Sequence, residues 1–340
     1  MGGKLMDWNK GYSASFYASF VDPVTWRDIE RFEIKGGSIS RSDADLKESA
    51  DLDCVNYDQS RERWVRIWLD TKQGGASSHT ALFTGLATSP DKDLNGFLSE
   101  TKVELYSVLK PASDIYLQRG YYAPINTAGA RVVADLLSVV PAPKEIAGDS
   151  PALQSAIIAE DGETRLTMAI KVLEAINWRI TISGTGMIRI GPKPTEPVVS
   201  FDALENDCIE PEISVSYDWF SCPNIFRAIT DGVSAVARDD DPRSPFSVAS
   251  RGREVWQEED DCDLAENETL AEYAKRRLRE EQNLATMLDY DRRYHPDVGV
   301  GDLIRLHYPG QGIDGVYEVT KQSITLGAGA RTSEEVRSRG

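Results

Sequence analysis

The stretch GVGDLIRLHYPGQGIDGVYEV, Gly299–Val319, decides how the chain is read. Apolar side chains fall on alternate positions in two runs, each entering or leaving a Gly-rich turn, which predicts a hairpin of two strands. Ile304, Leu306, Tyr317 and Val319 then share the face that packs inward, while Arg305, His307, Glu318 and Lys321 belong to the opposite faces. The hairpin holds one histidine and no group arranged for catalysis.

Upstream, the same reading recurs from about Gly11 to Leu117. In YSASFYASF, Tyr12, Ala14, Phe16, Ala18 and Phe20 lie on one face of an extended chain. A strand is expected at Ile29–Ile34, a hairpin turn at Gly36-Gly37 and a return strand from Ser38. RWVRIWLD carries bulky groups on both faces, so both are expected to be covered. TALFTGLATSP and ETKVELYSVLK add two strands around a turn at Pro90–Gly96. Five or more strands in such a length indicate a barrel or sandwich.

The pattern changes to helical spacing in NTAGARVVADLLSVV, with Asn126 or Thr127 as the expected cap and Val132, Val133, Leu136, Leu137 and Val140 as the apolar stripe. After a Pro-rich connector, Leu166, Ala169, Ile170 and Leu173 mark one face of a second helix. It leads into a hairpin turning at Gly184–Gly186. Strand-like runs return at Ile213–Tyr217 and Ile225–Ala237. A helix follows whose Thr269 and Glu272 form a capping box and whose Leu270, Tyr273, Ala274 and Leu278 form a buried stripe.

Length and composition bound the function. A chain of 340 residues suggests two or three domains. No apolar run approaches the roughly 20 residues of a membrane span, and MGGKLMDWNKGYSASF lacks a signal-peptide layout, so folding in a cytosol is expected. The formal charge of −17 argues against binding nucleic acid through its phosphates. Cys54, Cys208, Cys222 and Cys262 have no CxxC spacing and no nearby histidine, which argues against zinc and for buried thiols; a Cys208–Cys222 disulfide is left open.

Candidate sites are sparse. His79, in the polar GGASSHT segment read as a loop, His295 and His307 have no local nucleophile and acid to complete a triad. Asp239–Asp241 and Glu258–Asp261 lack calcium-loop spacing and read as solvated charge. GGAS and GAGAR are turns rather than phosphate loops. Trp64 and Trp68 would share one strand face, as a glycan platform requires, although packing is the commoner use of such rings. No catalytic, cofactor-binding or metal-binding residue is assigned, and no cofactor is expected.

Taken in order, these segments resemble the central hub proteins of phage tails and related contractile injection systems. The resemblance is carried by LFTGLATSP, TRLTMAIKVLEAINWRITISGTGMIRI, NIFRAITDGVSAVARDDDPRSPFS, LAEYAKRRLREEQ and HPDVGVGDLIRLHYPGQGIDGVYEVTKQSITLGAGARTSEEV, with the closing GD turn and G-Y-V hairpin its strongest part. It implies an α+β, mainly β fold. Two tail-tube-like β-barrel domains, 1–117 and 197–340, are joined by a small α/β domain, 118–196, and the second barrel carries a helical insertion at about 238–285. It also implies a homotrimer in the virion, at the tail tip or baseplate, assembled in the host cytoplasm. Such a ring has pseudo-sixfold symmetry and adapts a sixfold tube to a threefold spike or fibre. Its expected partners are the tail tube or a distal tail protein hexamer on one side and a spike, fibre or tape-measure protein on the other.

On that resemblance the Gly299–Val319 hairpin supplies main-chain hydrogen bonds and a shaped wall, and its outward residues meet water, a neighbouring subunit or a channel. Three chains of −17 carry −51 together, and a negative lumen lets DNA pass without adhering. The chain ends soon after the last expected strands, so wall-degrading activity is expected in a partner. The competing expectations are a cell-wall glycan hydrolase working through two carboxylates and a glycan-binding adsorption module built on Trp64 and Trp68.

Overall fold

The computed structural model describes residues 6–55, 57, 60–88, 91–95, 98–203, 208–217, 219–230, 232–260, 262, 269–283, 286–327 and 330–339. Of the residues singled out above, residues 1–5, Ser89, Pro90, Gly96, Asp231, Asp261, Ala328 and Gly329 lie outside them, and the turn expected at Pro90–Gly96 instead contains the strand Asp91–Asn95.

The first part of the chain forms strands β1 (Ser13–Val21), β2 (Asp28–Phe32), β3 (Ile34–Ser42), β4 (Glu48–Val55), β5 (Trp64–Gln73), β6 (Ala76–Ala87), β7 (Asp91–Asn95) and β8 (Leu98–Ser107). Strand β4 shows why. Glu48, Ala50, Leu52 and Cys54 are buried and Ser49, Asp51 and Asp53 exposed, the period-2 pattern of a strand with one covered face. In β5 the run Trp64–Ile67 is buried on both faces, as its doubled bulk requires.

Gly36 and Gly37 do not turn the chain. They lie within β3, where the register against β4 shifts between Ile34 and Gly36. A Cβ on Gly37, at φ +147°, would stand 2.1 Å from the Asp51 carbonyl oxygen. The glycine pair therefore makes a bulge and a close strand approach instead of a hairpin.

The middle part contains α1 (Lys110–Ser113), β9 (Tyr122–Ala123), α2 (Gly129–Leu136), β10 (Lys144–Ile146), β11 (Ile157–Ile158), α3 (Arg165–Ala175), β12 (Trp178–Ile182) and β13 (Ile188–Pro192). Helices α2 and α3 bury Val132, Val133 and Leu136 with Leu166, Ala169 and Leu173 in one core beside the β12–β13 hairpin. Thr164 caps α3 by accepting from the Thr167 amide. Neither Asn126 nor Thr127 caps α2. Ala128 occupies that position, and the Ala130 amide donates to Ser150 Oγ at 2.8 Å, a cap supplied from a distant turn.

The last part contains β14 (Val199–Asp202), β15 (Ile209–Tyr217), β16 (Ile225–Thr230), β17 (Val233–Arg238), α4 (Val248–Arg251), β18 (Trp256–Glu259), α5 (Leu270–Asn283), β19 (Thr286–Arg293), β20 (Leu303–Tyr308), β21 (Ile313–Thr325) and β22 (Arg331–Ser338). The run Ile225–Ala237 is thus divided into a hairpin. With β18 it forms a small sheet whose Phe226, Ala228 and Ala237 pack on Tyr273, Ala274 and Leu278 of α5. The capping box at the start of α5 is present: Thr269 N donates to Glu272 Oε2 at 2.9 Å and Glu272 N to Thr269 Oγ1 at 3.3 Å.

One long sheet joins the two ends of the chain, in the order β15-β19-β22-β21-β3-β4-β8-β6-β5-β1-β2. The opening stretch of sequence is its β20–β21 hairpin, paired from Leu303↔Glu318 to Tyr308↔Ile313, with Ile304, Leu306, Tyr317 and Val319 buried. Beyond a register shift between Val319 and Lys321, β21 stops pairing with β20 on that side and pairs Lys321–Thr325 with β3. The fold is mainly β with helices segregated from the large sheet, the α+β class that the sequence implies.

Candidate assembly surface

The outward face of the long sheet is polar across both β regions. One row runs Asp291–Ser333–Ser323–Ser40–Ser49–Tyr106, every neighbour directly opposite across a ladder. Flanking rows run Ser214–Asp289–Glu335–Lys321–Ser42 and Thr325–Ser38–Asp51–Glu104. The first row and the one from Ser214 to Ser42 line a hollow of about 790 Å³. Short hydroxyl and carboxyl side chains keep it open. Glu335 sits below the usual carboxylate range, chiefly because Lys321 donates to it at 2.8 Å, whereas partial burial and then Glu335 push Asp289 up.

Beneath this face a buried polar network crosses the junction of β21 and β3. Glu334 accepts from Arg292, from Tyr290 Oη at 2.9 Å and from Gln322 Nε2 at 2.8 Å. Gln322 Oε1 accepts from Arg41 Nη1 at 2.7 Å, and Arg41 also donates to the Leu82 carbonyl. Arg41 Nε reaches Glu48 Oε2 at 3.4 Å. Burial pushes the Glu48 carboxyl up to about 7, with Arg41 opposing, and among the described residues nothing hydrogen-bonds Glu48 Oε1. Fixing these groups fixes how the two β regions join, since each unmet buried partner costs about 1–3 kcal/mol.

The other sequence candidates are placed as follows. His79 is in strand β6 rather than a loop, with Nδ1 2.5 Å from Asp70 Oδ1 and Nε2 3.1 Å from the Tyr17 hydroxyl. Asp70 and His79 face each other within one hairpin, but Tyr17 is far from them in sequence, so only strand pairing could have revealed the three together. These groups satisfy one another: the His79 ring stacks on Trp68 at 4.1 Å, and Trp68 Nε1 donates to Asp28 at 2.9 Å. Burial and Asp70 raise the Tyr17 phenol, against Arg31, which disfavours a phenolate nucleophile.

His295 is buried, and burial followed by Arg292 lowers its pKa; His307 lies 3.3 Å from Asp314. Asp239 accepts from Ser244 and Gln282, Asp240 pairs with Arg238 and Asp241 with Arg243. Trp64 is buried against Trp26, so Trp64 and Trp68 offer no joint platform. All four cysteines are buried free thiols, so Cys208 and Cys222 are not bonded. No described helix is long and apolar enough to cross a membrane.

No protein-family model and no curated protein sequence matches the chain. Solved structures do. A tail protein from Neisseria meningitidis MC58 superposes with a TM-score of 0.66 at 14% identity, covering 97% of this chain and 98% of that one. The prophage MuSo2 43 kDa tail protein from Shewanella oneidensis gives 0.66 at 12% identity, over 95% and 97%. A prophage tail protein from Listeria monocytogenes EGD-e gives 0.55 at 12% identity, over 96% and 94%. The agreement spans both β regions and the α/β part between them, so along nearly its whole length the chain has the fold of phage tail proteins.

Proposed function

We propose that the chain is a structural hub of a phage tail tip or baseplate, in which three copies close a ring around a DNA passage. Residues 1–117 and 197–340 act as its two tube-like units and 118–196 as their connector. The observation that carries this reading is the course of the polar face. The sheet beneath it runs without a break over eight strands, β15, β19, β22, β21, β3, β4, β8 and β7. Strand β8 carries β7 on its first half, while its last residues pair with β6.

All seven pairings in this run are antiparallel. The outermost strands β15 and β7 therefore run in opposite directions, and among the described residues neither has a second neighbour. Head-to-tail copies would set β7 of one beside β15 of the next, again antiparallel, and cyclic closure would remove both edges. Three runs of eight give twenty-four strands. At about 4.8 Å per strand the ring would be roughly 37 Å across between backbones, before strand tilt widens it.

Each copy would contribute two sheets of similar width, which is how a threefold ring can match a sixfold tube. The tail-protein fold of the structural neighbours supports placement in a virion tail. On this reading the partners are a tube or distal tail hexamer on one side and a spike, fibre or tape-measure protein on the other. The role, on the same reading, is mechanical rather than catalytic, which the use of Asp70, His79, Arg292 and Glu334 in bonds within the fold supports. Native mass measurement of the assembled protein, with electron-microscope views down its axis, tests the reading. Three copies around an open centre are expected; a closed monomer or an even-numbered ring would overturn it.

A further inference from the structure

We propose that the Trp219–Phe220 turn, with Val215 and Tyr217, is a docking wedge for a second copy of this chain. The inference rests on the ring reading and adds to it the apolar contact that would hold adjacent copies together. Ser214 and Ser216 place the polar face of β15 toward the hollow, so Val215 and Tyr217 lie on the opposite, core-side face. Val215 is paired with Leu288, which is fully buried on that same side. Yet Val215 is 43% exposed and Tyr217 46% exposed. The core covers Ile209 and Ile213 but stops before the end of β15, leaving core-type residues uncovered at the edge of the sheet.

The chain then continues into Trp219, 45% exposed, and Phe220, 83% exposed. A turn that simply packed its aromatics would not leave a phenylalanine so far in water. This one is held rigidly. Arg251 donates to the Cys222 carbonyl at 2.6 Å and to the Trp219 carbonyl. Arg253 Nη2 donates to the Trp219 and Phe220 carbonyls, each at 3.0 Å, and its guanidinium lies 5.2 Å from the Phe220 ring. The Trp219 ring is 5.2 Å from Tyr217 and 5.0 Å from Phe246. Two arginines thus fix the backbone that presents the rings, which lowers the ordering cost of association.

The occupant follows from the location. The patch starts on the free edge strand itself, so whatever pairs with β15 must extend the core-side layer over Val215 and Tyr217 and meet Trp219 and Phe220. On the ring reading the edge set against β15 is β7 of the neighbouring copy, which runs in the direction an antiparallel pairing needs, so the occupant is that copy.

The test compares wild type with the Trp219→Ala/Phe220→Ser double variant and with Arg253→Ala, using sedimentation across a concentration series. Far-ultraviolet circular dichroism and melting of dilute protein check the fold. Wild type is expected to form trimers. The double variant should need at least tenfold higher concentration to do so, and Arg253→Ala an intermediate one, with the fold unchanged. If wild type forms trimers and the double variant matches it, the wedge is wrong and the ring stands. If folded wild type stays a single chain at every concentration, the ring reading fails and the wedge with it.

Discussion

Arg292 and Glu334 meet diagonally across the β19–β22 ladder with both side chains fully buried, Nε donating to Oε2 at 2.7 Å and Nη2 to Oε1 at 2.5 Å. Tyr290, directly opposite Glu334, donates to the same carboxylate. Gln322 then links the pair to Arg41 on β3. The two β regions are therefore registered against each other by a bidentate ion pair and its amide bridge, besides the backbone ladder.

Glu334→Gln should cost roughly 3–5 kcal/mol of stability, because it strands the Arg292 guanidinium without a counter-charge. Replacing both, as Arg292→Met with Glu334→Gln, should recover much of that loss, since both charges are gone and the new amide oxygen still accepts from Tyr290 and Gln322. Urea unfolding of the three proteins checks this. A double variant no more stable than the single one would show that the pair contributes more than its own desolvation removes.

Glu48 makes a pH prediction of definite sign. Its carboxyl sits at about 7 in the folded chain against an ordinary 4.5. Between those values the folded state holds a proton that the unfolded state has lost, so stability falls as pH rises from about 4.5 through 7 and is unaffected by this group below 4.5. The full loss is of the order of 3 kcal/mol. Glu48→Gln should flatten the decline in melting temperature between pH 5 and pH 8 and melt higher than wild type at pH 8. Parallel pH profiles for the two proteins would contradict the assignment.

The β12–β13 hairpin docks on the first sheet by close approach. A Cβ on Gly184 would lie 1.8 Å from the Ala81 carbonyl oxygen. Thr84 Oγ1 donates to the Gly184 carbonyl at 2.8 Å, while Trp26 Nε1 and Arg66 Nη2 donate to Thr185 O at 2.8 and 3.0 Å. Gly184→Ala must lift the hairpin and break this set, at a cost of about 3 kcal/mol or more. Gly310→Ala, where a Cβ meets nothing within 4 Å, should change melting little. Equal melting of the two variants would mean that the hairpin does not hold the α/β part to the sheet.

Local signals were legible in the sequence and long-range ones were not. Ile304, Leu306, Tyr317 and Val319 declared the buried face of β20–β21, and Thr269 with Glu272 declared the start of α5, because both patterns lie within a few residues. Gly36-Gly37 misled, since paired glycines serve a bulge as well as a turn and only the partner strand decides between them. Asn126 was displaced as a cap by Ser150, twenty residues from the amide it serves. The Lys321–Thr325 pairing with β3 and the Arg41–Gln322 bond join opposite ends of the chain and leave no periodic trace. The polar face is of the same kind: each strand shows its own alternation, but that Ser40, Ser323 and Ser333 form one row emerges only from register.

The polar face carries the last prediction. Asp51 and Glu104 face each other across β4 and β8, and Asp289 faces Glu335 across β19 and β22. Like charges placed opposite one another cost stability in a sheet, so their presence on both halves of one face suits a wall that repels a polyanion. In a ring of three these positions repeat around the passage, and the field adds where the walls confine it. Asp51→Lys with Asp289→Lys should leave the fold and subunit count unchanged, because both side chains are exposed. In assembled particles the same changes should slow DNA ejection, more so at low salt, where less screening lets lysines hold phosphates longer. Ejection at the wild-type rate in both salt conditions would mean that this face does not line the path of the DNA.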